Sequence, residues 1–149
     1  MFSSADDVRQ RAEQLTSADD WSVSKIEERI QRADAEIKQV LAARFSSYFS
    51  SWATPSTTPP KIKNISADWA AALCLLDAYG IDARASDYAQ LLEERCKAAL
   101  QQVLDDNFLY GADGTVIYGG DPRIGVSDFN YDDLDIDEDD VDVFSGIVE

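Results

Sequence analysis

Apolar residues return every three or four positions over most of the first hundred residues, so the chain reads as a series of amphipathic helices. The sharpest stripe is Ile26, Ile30, Ala33, Ile37, Val40, Leu41 and Phe45, one face of a helix that begins near Ser22 or Ser24. A serine at that point can accept from the free N–H groups of the first turn, and Ser24 with Glu27 has capping-box spacing. Glu28 with Arg32, and Asp34 with Lys38, stand four apart with the acid first, the favourable order for exposed pairs. A shorter helix precedes this one. Ser3 or Ser4 caps it, Asp6 and Asp7 meet its positive dipole end, and Val8, Ala12 and Leu15 carry its apolar side until it stops near Thr16-Ser17. Asp19-Asp20-Trp21-Ser22 makes the turn between them.

Beyond Phe45 the side chains Tyr48, Phe49 and Trp52 extend the stripe as an aromatic ridge, which either closes the core or meets a neighbouring subunit. Residues 53–60 hold three prolines, Pro55, Pro59 and Pro60, and break the helix into a linker or exposed loop. A third helix is predicted from about Lys61 to Tyr79, with Ile62, Ile65, Trp69, Ala72, Leu73, Leu76 and Tyr79 on one stripe and Gly80 as its stop. Residues 67–76 are apolar almost all round, the mark of a central helix packed on several sides. A fourth helix is predicted from about Ser86, capped by Ser86-Asp87, to Asp105; Tyr88, Leu91, Leu92, Cys96, Ala99, Leu100, Val103 and Leu104 form its stripe, with Glu93-Lys97 as another exposed pair. The period then changes. Asn107-Phe108-Leu109-Tyr110, a Gly-Ala-Asp-Gly turn and Thr115-Val116-Ile117-Tyr118 read as a small hairpin, and Gly119-Gly120-Asp121-Pro122 ends it.

Charge divides the chain differently from hydropathy. Residues 1–104 carry 15 acids and 12 bases, whereas residues 105–149 carry 14 acids and only Arg123, so nearly all of the net charge of −16 lies at the C-terminal end. Such a segment repels nucleic acid and suits a basic partner surface, and no basic stripe exists to track phosphates. From Ser127 onward aromatic and aliphatic residues are interspersed with the aspartates, more than a plain acidic tail would hold. The expected organisation is a helical core over 1–106, a hairpin or extended segment over 107–126 and an acidic arm over 127–149. The fold class is therefore mainly α: a small bundle of about four helices with a short β-hairpin and an extended acidic C-terminal arm.

Candidate chemistry is sparse. The chain has no histidine, which removes the commonest general base and the usual partner of a serine or cysteine nucleophile. Cys74 and Cys96 fall on apolar helix faces and read as buried thiols acting as small hydrophobes. Asp133-Leu-Asp-Ile-Asp-Glu-Asp-Asp invites a calcium-loop reading, but its sixth position is Glu138 rather than glycine and its twelfth is Phe144 rather than glutamate. Gly111–Gly114 and Gly119-Gly120 are turns rather than phosphate loops, because no helix opening on Lys-Ser/Thr follows. Carboxylate pairs such as Glu27-Glu28 and Glu93-Glu94 belong to solvated helix faces. No apolar run approaches the roughly 20 residues of a membrane span, and the start Met1-Phe2-Ser3-Ser4 lacks the basic and apolar regions of a secretory signal. The expectation is no enzyme, no cofactor, no metal and no membrane.

Three helical segments resemble the head–tail adaptor, or connector, family of phage Mu and Mu-like prophages. Ala33-Asp34-Ala35-Glu36-Ile37 followed by Leu41-Ala42-Ala43-Arg44-Phe45 is similar to that family's alanine-rich helix with its arginine-aromatic ending. Pro59-Pro60-Lys61-Ile62-Lys63-Asn64-Ile65-Ser66-Ala67-Asp68 resembles its proline-marked helix start, and Asp87-Tyr88-Ala89-Gln90-Leu91-Leu92-Glu93-Glu94-Arg95 through Ala98-Ala99-Leu100 resembles its last helix. The resemblance covers about residues 5–105; the long loop at 46–60 and the acidic extension past residue 106 depart from the family pattern.

What the resemblance implies is a structural virion protein at the head–tail interface, present in the host cytoplasm during assembly. It would form a dodecameric ring beneath the portal, joining the portal protein to a downstream neck, stopper or tail-completion protein. Genome DNA would pass through the channel without specific binding. In that setting the arm residues Phe129, Tyr131, Leu134, Ile136, Phe144, Ile147 and Val148 are the candidate partner contacts, and Phe45, Tyr48, Phe49 and Trp52 the candidate subunit contacts. Thr115–Tyr118 and the arm itself are further candidates for backbone pairing with a partner strand. The competing expectation is an acidic DNA mimic, or another binding module, that blocks a nucleic-acid-binding protein.

Overall fold

A computed structural model describes residues 1–12, 21–79 and 83–120. Among them the chain is mainly helical: α1 (Ala5–Arg11), α2 (Val23–Phe45), a 3-10 segment (Ser46–Ser51), α3 (Pro60–Tyr79) and α4 (Ala83–Asp106), followed by β1 (Phe108–Tyr110) and β2 (Val116–Tyr118). The acidic arm and its candidate contacts Phe129, Tyr131, Leu134, Ile136, Phe144, Ile147 and Val148 lie outside the described residues, as does the Asp133–Asp140 run.

Ser4 opens α1 with a reciprocal cap: its hydroxyl accepts from Asp7 N–H at 3.2 Å while its own N–H donates to the Asp7 carboxylate at 2.9 Å. The helix is shorter than its apolar pattern predicts. It ends at Arg11, and Ala12 is already extended with φ −144°. Arg11 is drawn onto α3 instead, where it reaches Asp68 at 2.7 Å and Asn64 at 3.0 Å.

In α2 Ser22, not Ser24, is the cap, accepting from Lys25 N–H at 3.3 Å. Ile26, Ile30, Ala33, Ile37, Leu41 and Phe45 are fully buried, as their spacing predicts, but Val40 is exposed at the margin of the stripe. None of the three expected surface ion pairs, Glu28–Arg32, Asp34–Lys38 and Glu93–Lys97, is formed among the described residues. Asp34 is buried, and Glu28 stands 3.5 Å from Arg29 rather than against Arg32.

α3 is the central helix. Pro60 occupies its first position, where a missing N–H costs nothing. Ile62, Ala67, Ala70, Ala71, Ala72, Cys74 and Leu75 are fully buried, because α1, α2 and α4 all pack against this helix. The preceding loop is less open than its prolines suggest. Thr58 N–H and hydroxyl both donate to the Thr54 carbonyl, at 3.1 and 2.8 Å, and Thr58 is buried.

α4 begins at Ala83, one turn before the expected Ser86-Asp87 cap, in keeping with the good helix formers Ala83, Arg84 and Ala85. Its buried face is Ala89, Leu92, Cys96, Leu100 and Val103. Tyr88 and Leu91 stand outside that face and are exposed, Tyr88 sending its hydroxyl to the Arg11 carbonyl at 3.1 Å. Asn107 stops the helix. It takes φ 59°, a left-handed conformation that asparagine tolerates, and its N–H returns to the Val103 carbonyl at 2.9 Å.

The hairpin pairs β1 and β2 antiparallel with Phe108 opposite Tyr118, Leu109 opposite Ile117 and Tyr110 opposite Val116. Gly114, at φ 86°, makes the reversal. The compact unit runs from Met1 to Gly119 and includes the hairpin. Leu109 is buried and Ile117 half-buried against the helical core, so one hairpin face is part of that core.

Candidate partner-binding surface

The other hairpin face is open. Side chains alternate across a strand, so burying Leu109 and Ile117 turns Phe108, Tyr110, Val116 and Tyr118 outward together. Their exposures are 37, 58, 41 and 68%, an unusual grouping of large apolar side chains. Phe108 and Tyr110 meet edge to face at 5.9 Å between ring centroids, which limits the freedom either loses on being covered.

This face is held by contacts made at both ends of the hairpin. Gly119 N–H donates to the Asn107 carbonyl at 2.8 Å, and the Asn107 carboxamide donates back to the Gly119 carbonyl at 3.2 Å. Arg44, at the end of α2, donates to the Leu104 carbonyl at 2.7 Å and to Asn107 Oδ1 at 3.2 Å, so one guanidinium ties α2 to the last turn of α4 and to the hairpin. Tyr48 donates to the Tyr118 carbonyl at 3.3 Å. At the turn, the Thr115 hydroxyl and N–H both donate to Asp113, at 2.7 and 3.1 Å, and hold that exposed carboxyl below its usual pKa.

The aromatic ridge, which carries the candidate subunit contacts Phe45, Tyr48, Phe49 and Trp52, packs largely within this chain. Phe45 is 0% and Trp52 3% exposed within this chain, so neither offers a surface to a neighbour. Trp52 is covered from a direction the helical pattern did not reveal: Phe2 meets it edge to face at 5.9 Å, while Tyr48 and Phe49 pack beside it at 6.3 and 5.6 Å. Tyr48 and Phe49 are only partly buried and retain some accessible ring.

Phe2 is seated by a buried polar cluster. Its N–H donates to Asp34 at 2.9 Å, the Ser66 hydroxyl donates to the same carboxylate at 2.6 Å, and the hydroxyls of Ser66 and Ser3 lie 2.8 Å apart. Burial pushes the Asp34 pKa up, and it is opposed by these two bonds, the amino terminus and Lys38. Lys38 does not pair with Asp34; its ammonium sits 5.5 Å from the centre of the Phe2 ring.

The thiols behave as their spacing predicts. Cys74 and Cys96 are buried, unpaired with each other and pushed up to about 12, chiefly by desolvation. No cluster of three or more metal-ligating side chains occurs among the described residues. None of the described helices is long and apolar enough to cross a membrane.

Among the described residues, three grooves bear on binding. The first, about 440 Å³, lies between Tyr48 and Trp52 on one side and Gly111, Asp113 and Thr115 on the other. Another, about 380 Å³, has Trp69 and Leu73 as its floor and Arg32, Glu36, Glu93 and Lys97 around it, two cations against two anions. The third, about 340 Å³, runs beside β1 and is lined by Pro60, Lys61, Asp106, Phe108, Leu109 and Tyr110. It adjoins the open aromatic face, so the two form one candidate surface. Scans against protein-family models, curated proteins and solved structures give no significant match for this chain.

Proposed function

We propose that this chain is a structural assembly subunit of a tailed phage: an adaptor that forms a ring beneath the portal and joins the head to the neck around the DNA channel. The observation that supports docking as its work is the outward set Phe108, Tyr110, Val116 and Tyr118 on a hairpin whose opposite face is locked into a helical core. That set offers roughly 400 Å² of apolar surface, taking typical side-chain areas, below the ~800 Å² per partner of a standard stable interface. A contact of that size is weak alone and is multiplied when many copies are arranged around one ring. The phage setting comes from the resemblance of the helical segments to Mu-like connectors.

The test mixes the purified chain with portal particles of the phage that encodes it and follows them by size-exclusion chromatography and electron microscopy. Rings seated on the portal, with occupancy lowered by Tyr110→Ser and Tyr118→Ser at unchanged melting temperature, are the expected result. A chain that never associates with portal particles would sink the proposal, as would a coding sequence remote from capsid and tail genes.

A further inference from the structure

We propose that the outer edge of β1 is a strand-addition site, which takes an extended partner segment of apolar residues flanked by lysine or arginine as a third strand of the sheet. This rests on the reading of the hairpin as the docking surface and names what docks there.

The register decides which backbone groups are free. Gly119 N–H pairs with the Asn107 carbonyl, and Gly111 N–H with the Thr115 carbonyl at 2.7 Å. In an antiparallel ladder, hydrogen-bonded pairs alternate with non-bonded pairs. The pair Leu109–Ile117 therefore bonds across the hairpin, while Phe108 and Tyr110 point their N–H and C=O groups away from β2. Among the described residues no hydrogen bond reaches those outward groups. The corresponding edge of β2 is less open, since the Tyr118 carbonyl already accepts from Tyr48. The expectation that Thr115–Tyr118 would pair with a partner is thus redirected to the other strand.

Space and chemistry agree with this edge. The groove of about 340 Å³ lies along β1, with Pro60 at the start of α3 as its far wall. A third strand laid there would alternate its side chains. Residues opposite Phe108 and Tyr110 would widen the open aromatic face, and the residue between them would enter the groove beside Leu109 and Pro60. Exposed carboxylates flank the strand: Asp105 and Asp106 before it and Asp113 at the turn, against Lys61 alone among the groove-lining residues. That balance selects cationic ends on the incoming segment. The open area is also too small for a symmetric pairing of two globular copies, whereas a short strand gains main-chain bonds in addition to side-chain burial.

The experiment uses the full chain, isotope-labelled for amide exchange by NMR, with the capped peptide Lys-Val-Ile-Val-Lys as probe. Exchange at Phe108 and Tyr110 amides is expected to slow on adding the peptide, while Val116 and Tyr118 are unaffected. The Glu-Val-Ile-Val-Glu peptide is expected to bind about tenfold more weakly at low salt, the direction set by like-charge contacts. N-methylation of both valines, whose N–H groups would face β1 in an antiparallel strand, is expected to abolish protection, and N-methylation of the isoleucine to leave it. Protection at β2 instead, or binding indifferent to N-methylation, overturns the proposal. So does protection already present in the dilute peptide-free chain, which makes the chain itself the occupant, or protection that grows with protein concentration, which makes it a second copy. If the peptide fails while Tyr110→Ser still reduces portal docking, strand addition falls and the docking role stands.

Discussion

Substituting Gly119 by alanine tests whether the hairpin and the helices are one cooperative body. A Cβ built at Gly119 would lie 2.3 Å from Asn107 Oδ1 and 3.0 Å from Phe45 Cζ. Phe45 is fully buried and has little room to give, so the Asn107 carboxamide must move. Moving it breaks its bond to the Gly119 carbonyl and the one it accepts from Arg44, both 3.2 Å. The first is a neutral bond worth ~0.5–1.5 kcal/mol and the second involves a charged donor worth ~1.5–3 kcal/mol, so Gly119→Ala is expected to cost about 2–4 kcal/mol. Gly114→Ala is the control: its φ of 86° disfavours a side chain, but no atom lies within 4 Å, so the cost is about 1–2 kcal/mol from the backbone alone. Urea denaturation followed by tryptophan fluorescence measures both. Trp21, Trp52 and Trp69 are buried in the helical core, so a change in their midpoint reports on the helices although the substitution is in the hairpin. In an Asn107→Gly background, which keeps the left-handed turn and removes the carboxamide, the Gly119→Ala cost should fall by more than half. An unchanged tryptophan midpoint for Gly119→Ala would refute the reasoning, since it would mean that the hairpin can shift without the core.

Three further predictions concern buried titratable groups. Asp34 has its folded pKa raised by burial, so between the ordinary carboxylate pKa and the raised one the folded state binds more protons than the unfolded chain; stability attributable to it rises as pH falls through that window. Relative to Asp34→Asn, the natural chain should gain stability on going from pH 7 to about 4 in urea titrations, and a constant or reversed difference would contradict the assignment. The raised thiol pKa values act at the other end: stability should decline as pH rises from the ordinary thiol range toward about 12, and Cys74→Ala/Cys96→Ala should remove that alkaline component. At neutral pH neither thiol should react with a water-soluble thiol reagent until the chain is unfolded; rapid labelling of the native protein would contradict their burial.

The helical architecture is legible in the apolar pattern. A stripe such as Ile26–Ile30–Ala33–Ile37–Leu41–Phe45 can be buried in only one way, and an almost uniformly apolar segment such as residues 67–76 must be central. The hairpin was equally legible, because its turn glycines separate two short apolar runs. Which hairpin face is hidden depends on long-range packing. Phe108-Leu109-Tyr110 and Val116-Ile117-Tyr118 are apolar on both faces, so period-two alternation carries no polarity to orient them, and the choice falls to what Arg44, Asn107 and Tyr48 hold in place. Tertiary structure likewise turned Asp34 from a surface charge into the buried anchor of Phe2 and closed the aromatic ridge over Phe45 and Trp52. Those outcomes depend on residues 32 or more positions apart meeting in space, and local periodicity contains no term for such a meeting.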